Sequence, residues 1–150
     1  MNARLKRLQP ILELAESREK EAAQALGVAL GKLEEARKGM SNLEGFRHDY
    51  GERFRRGGES GFSVPQLAEF RAFLGKIDQA VQDQEKVVEN LRQEIETRRR
   101  AWQDAHGHTL GLQKLLEKIR AEETQREIKQ EQKELDERAG RLNLTESRRI

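Results

Sequence analysis

The chain has 150 residues, 37% charged and 35% hydrophobic, with a mean hydropathy of −0.95. That is too little apolar surface for a compact core, but packed helices need only two or three apolar positions in seven, which this chain supplies. Its 29 basic and 27 acidic residues nearly cancel to +2, which excludes the one-sided excess of a general nucleic-acid binder, and with no cysteine there is neither a disulfide framework nor a thiolate metal site.

No apolar run is long enough to span a membrane, so direct membrane insertion is not expected. Arg4, Lys6 and Arg7 are followed by Glu13 and Glu16 rather than by an apolar segment. A cleaved signal peptide is therefore not expected, and the chain reads as cytosolic.

The first element is set by a seam that steps by alternate threes and fours from Leu5 through Leu8, Leu12, Ala15, Glu19 and onward to Tyr50 and Phe54. Thirteen of its fifteen positions are apolar, the exceptions being Glu19 and Arg47. A spacing of 3.5 residues keeps the stripe on one face only if the helix supercoils around a partner. Asn2 is a candidate cap. Pro10 lacks a backbone donor, so the helix either begins near it or kinks there. Gly27, Gly31, Gly39, Gly45 and Gly51 each weaken the helix by about 1 kcal/mol relative to alanine, which makes it dependent on its partner. Helix 1 is expected over about 5–56.

Residues 57–64 read as the loop, because Gly57, Gly58 and Gly61 free the backbone and Val64 precedes proline. Ser63 and Gln66, three apart with Pro65 between them, form a helix-start signature. The second seam then runs from Leu67 and Phe70 to Leu116 and Ile119, with thirteen of sixteen positions apolar. Helix 2 is expected over about 65–142, with a frayed tail over 143–150.

Two heptad helices joined by a short loop define an all-α fold: a long antiparallel two-helix coiled-coil hairpin with a C-terminal helical extension, read as a single domain over 1–150. Two registers are open. If facing residue numbers add to 117, Glu19 meets Arg98, Ala15 meets Trp102 and Ala22 meets Ile95. If they add to 124, Leu26 faces Arg98. The first is preferred because it brings the charged seam positions together.

Beyond Ile119 the seam turns polar. Ala121, Ile128, Leu135 and Leu142 remain as a thin line spaced by seven, with Glu122–Arg126 and Glu134–Arg138 as candidate supporting pairs. About 25 residues of overhang amount to roughly 35–40 Å of helix without an intramolecular partner, and we read it as a docking element.

No catalytic constellation, phosphate-binding loop or cofactor site is found. His106 and His108 point to different faces of a helix, and as surface histidines they are not read as metal ligands. Arg98, Arg99 and Arg100 read as a solvated face. Six of the seven aromatic residues lie between Phe46 and Phe73, around the hairpin tip, and only Trp102 lies outside. Phe46 and Phe73 stand one step off the seam. Either helix 2 carries a wider apolar stripe that includes Ala80, Val87, Ala101 and Leu115, or the tip exposes an aromatic surface for a partner protein.

Several segments, in order, carry a resemblance: RLQPILELAESREKEAAQALG at 7–27, FRHDY at 46–50, FRAFLGKIDQAVQDQE at 70–85, Arg99 with Trp102, and EQKELDERA at 131–139. Together they resemble the FliJ family of flagellar type III export proteins. The resemblance implies a non-enzymatic, stalk-like coiled coil. Such a protein binds the hexameric ring of the export ATPase, promotes its assembly and activity, contacts the cytoplasmic domain of the export gate and handles export chaperones. It also implies a cytoplasmic location, peripheral to the inner membrane at the flagellar base. By position, the gate contact would fall on Leu43, Phe46, Tyr50, Phe73, Ile77, Ala80 and Gln84, with glutamine where some members carry histidine. The ATPase-facing end would comprise Leu5, Leu8, Ile11, Leu12, Ile119, Ile128 and Leu135. A virulence-secretion stalk and a purely structural coiled-coil spacer are the alternatives.

Overall fold

The structure is a computed structural model that describes residues 3–149. Among these, α1 spans Ala3–Ser60 and α2 spans Val64–Arg149, leaving only 61–63 outside helix. The two helices pack against each other, and no described residue is in a strand. Helix α1 passes through Pro10 without ending. It also continues through Gly57 and Gly58, which the sequence assigns to the loop. Helix α2 extends through the expected tail as far as Arg149. The candidate cap Asn2 and the terminal Ile150 lie outside the described residues.

The turn is short because both of its ends are specified. The N–H of Gly61 donates to the Gly58 carbonyl at 3.3 Å, and Gly61 stands at φ +86°, the left-handed geometry that stops a helix and favours glycine. On the other side the Ser63 hydroxyl accepts from the Gln66 N–H at 3.3 Å, while Gln66 Oε1 accepts from the Ser63 N–H at 3.1 Å. This reciprocal box starts α2, as the Ser63/Gln66 spacing predicts, and Pro65 falls in the first turn, where its missing donor costs nothing.

Contacts divide the chain into two compact units. One comprises residues up to Glu19 together with those from Asp104 onward, and the other comprises Lys20–Gln103. In the first unit, buried Leu5, Leu12, Leu116 and Ile119 form the core, with Leu8, Leu112 and Leu115 packed on it. In the second, Ala29, Leu33 and Ile95 form a core supported by Leu26, Val88 and Leu91, while Ile77 and Val81 are also buried. These residues lie on the two seams, except Leu115, which stands one step off at the widened edge of α2.

Within each unit the helices run antiparallel, and the observed pairs fix the register. Phe54 meets Phe70, Tyr50 meets Phe73, Arg47 meets Asp78 and Glu19 meets His106. These numbers add to 123–125, so the register is the one near 124 and the preference for 117 is corrected. Ile95 packs with Ala29 and Leu33 rather than opposite Ala22, and the Arg98 guanidinium reaches Glu94 of its own helix at 3.9 Å instead of Glu19. The cause is the turn. A connection centred on residue 62, between Gly61 and Ser63, fixes the facing numbers at about twice that value; a register of 117 would need the turn centred three to four residues earlier, inside what is helix.

Candidate functional site

The tip of the second unit holds a chain of five aromatic rings. The ring centroids of Tyr50 lie 4.4 Å from Phe73 and 5.1 Å from Phe70; Phe70 is 4.8 Å from Phe62 and 5.8 Å from Phe54; and Phe54 and Phe62 stack at 5.9 Å. The two seams supply Tyr50, Phe54 and Phe70, the edge of the α2 seam supplies Phe73, and the turn supplies Phe62. Gly57 makes room for that fifth ring. A Cβ at position 57 would come within 3.0 Å of three Phe62 ring carbons, so only glycine lets the ring lie on the helix backbone. The ring's packing offsets the helix cost of the glycine, which explains why α1 runs past a residue that reads as a breaker.

The residues assigned to the gate contact separate into two groups. Ile77 is buried, and Leu43, Tyr50 and Ala80 are half-buried, so these build the α1–α2 packing. Gln84 is half-buried and turned inward: its Nε2 donates to the Ala36 carbonyl at 2.9 Å, beside Gly39. Phe46 and Phe73 are exposed, at 63% and 40%. Phe73 still stacks on Tyr50, whereas Phe46 lies outside the ring chain and is one wall of a shallow depression with Asp49, Tyr50 and Arg53. The wider stripe on α2 therefore accounts for Ala80, and it accounts for Phe73 in part. It does not account for Phe46, which sits on α1.

The residues assigned to the ATPase contact also divide. Leu5, Leu12 and Ile119 are buried in the first unit's core, with Leu8 packed on them. Ile11 (47%), Ile128 (47%) and Leu135 (61%) are exposed. Glu123 is the last residue with partial burial, and every residue over 124–148 is exposed, which leaves the stripe of Ile128, Leu135 and Leu142 uncovered. The expected pairs Glu122–Arg126 and Glu134–Arg138 do not come within ion-pair distance; Glu137 and Arg141 do, at 3.9 Å.

One polar contact escaped the sequence reading. The Glu19 carboxylate, on the α1 seam, bonds the Nδ1 of His106, and both side chains are partly buried. The signal was present in the heptad phase, since the register near 124 sets Glu19 beside Ala105 and its neighbour. It was lost with the choice of register. Thr109, the one buried polar residue among those described, keeps its hydroxyl satisfied by donating to the Ala105 carbonyl at 3.0 Å. Among the described residues no helix is long and apolar enough to cross a membrane, and no cluster of His, Asp or Glu could hold a metal.

The fold and these surfaces define a class: an all-helical pairing of two long heptad helices, with an aromatic cluster beside the turn and a C-terminal stretch of α2 that is exposed over 124–148. Residues 5–148 match the family described as flagellar FliJ protein, nearly the whole chain. The chain belongs to that family, whose members are stalk components of flagellar-type export rather than catalysts. No curated protein and no solved structure matches it.

Proposed function

We propose that this protein couples the export ATPase to the export gate. Its overhang, with the exposed Ile11 beside the first unit's core, docks in the ATPase ring and promotes ring assembly and nucleotide turnover. The exposed rings of Phe46 and Phe73 contact the cytoplasmic domain of the gate protein, and the half-buried residues around them hold those rings in place. Export chaperones are further partners. The protein acts in the cytoplasm, peripherally at the inner membrane beneath the flagellar base.

The observation that supports this best is the overhang. Helix α2 carries exposed apolar residues at heptad spacing over 124–148, beyond its last partly buried residue, which is expected of a helix that completes its packing on another protein. Family membership narrows the partner to the export machinery. The experiment is to titrate the purified protein into the purified export ATPase and follow phosphate release and hexamer formation. Both should rise and saturate. No change in either at saturating protein would refute the reading.

A further inference from the structure

The exposed stripe on the overhang is not a continuation of the intramolecular seam. Ala121 lies two residues past Ile119, which is about 200° around the helix, so the line through Ile128, Leu135 and Leu142 begins a new seam on the far side of α2. Counting from that line, the positions four residues on are Gln125, Gln132, Ala139 and Glu146. The residues flanking this new seam include Glu122, Lys129, Asp136 and Asn143 along one edge and Thr124, Glu131, Arg138 and Thr145 along the other. Among the described residues Lys129, Glu131, Asp136 and Arg138 form no ion pair, so these flanking charges are available.

We propose that the overhang pairs antiparallel with the overhang of a second copy of this chain, with facing residue numbers adding to 267. In that register Ile128 packs on Ala139, and Leu135 on Gln132, each contact made twice by symmetry. In antiparallel coiled coils each edge faces its own counterpart, so Lys129 meets Asp136 of the second copy and Glu131 meets its Arg138, again twice each.

The alternatives carry like charges. A slip of one heptad in one direction sets Lys129 on Lys129, Glu131 on Glu131 and Glu122 on Asp136. A slip in the other direction sets Asp136 on Asp136 and Arg138 on Arg138. A parallel pair in register sets Glu131 against Asp136. Of these alignments only the antiparallel register at 267 opposes every flanking charge with an opposite or neutral group, and repulsion in competing alignments is how coiled coils select a pairing.

With two glutamines, Glu146 and few large apolar residues in the seam, this association is weak and reversible. It covers the stripe in the free protein and yields when a better partner arrives. The inference does not depend on the identity of that partner, and its failure would leave the ATPase reading standing.

The test uses the full chain, whose lack of cysteine allows clean disulfide trapping. Sedimentation equilibrium should show a concentration-dependent dimer. Mixing an Ile128→Cys chain with an Ala139→Cys chain under oxidation should give the mixed disulfide. Lys129→Glu should weaken the dimer roughly tenfold by reversing two symmetric contacts, and Lys129→Glu together with Asp136→Lys should restore it. Three results would each overturn the proposal: a monomer at every concentration, efficient crosslinking of Leu135→Cys with itself instead of the mixed pair, or a dimer indifferent to Lys129→Glu.

Discussion

Gly57 and Gly58 are neighbours in the same helix, yet alanine should have opposite effects at the two sites. At Gly58 an added Cβ meets nothing within 4 Å, so Gly58→Ala gains helix propensity alone, up to about 1 kcal/mol. At Gly57 the same methyl would overlap three carbons of the Phe62 ring, which must swing away. Phe62 then loses its contacts with Phe54 and Phe70, each worth about 0.5–1.5 kcal/mol beyond area burial. Set against the propensity gain, those losses and the re-exposed ring area leave Gly57→Ala less stable by about 1–2 kcal/mol. Urea unfolding followed by circular dichroism, with the slope checked for constancy, measures both. Equal stability of Gly57→Ala and Gly58→Ala would show instead that the ring does not depend on the absent side chain, and would sink this prediction. Phe62→Ala supplies a control: once the ring is gone, Gly57→Ala should become stabilising.

Ile119→Ala removes a buried side chain from the core made with Leu5, Leu12 and Leu116, and should cost about 2–4 kcal/mol in the same assay. Glu19→Leu replaces a partly buried carboxylate in the seam with an apolar residue; the melting temperature should hold or rise by a few degrees, since the loss of the His106 contact at a half-exposed site is small. Phe46→Ala with Phe73→Ala should lower affinity for the cytoplasmic domain of the gate protein by at least about tenfold while leaving helix content unchanged, because both rings are exposed and neither belongs to the buried cores.

Much of the fold was legible because heptad spacing is a direct readout of helix packing. The seams from Leu5 to Phe54 and from Leu67 to Ile119 named the residues that are in fact buried, and the Ser63/Gln66 pair located the start of α2. The register was not legible because a turn read at 57–64 falls between the two alternatives, and the pairing of Glu19 with Arg98 favours the wrong one. In the structure the aromatic packing of Phe62 holds residues 57–60 in the helix and moves the centre of the turn toward the C-terminus. A shift of a few residues at the turn relocates every facing pair. Glu19 is the clearest consequence: it bonds a histidine that the spacing of His106 and His108 alone had assigned to the surface.

The candidate surfaces were legible in part. Sequence spacing groups residues on a face but does not say which are spent on the partner helix. Thus Ile77 and Gln84 turn inward while Phe46 and Phe73 stay exposed, and Leu5, Leu12 and Ile119 are buried while Ile11, Ile128 and Leu135 are not. The inward residues set the shape of each end, and the exposed ones are those left for a partner.

In the proposed function the overhang carries the ATPase contact. The most direct measurement compares ATPase stimulation by the full chain with that by a chain ending at Glu123, which keeps the core of Leu5, Leu12, Leu116 and Ile119 intact. The shortened chain should remain helical and melt cooperatively but lose stimulation. Undiminished stimulation by the shortened chain would contradict the proposed function.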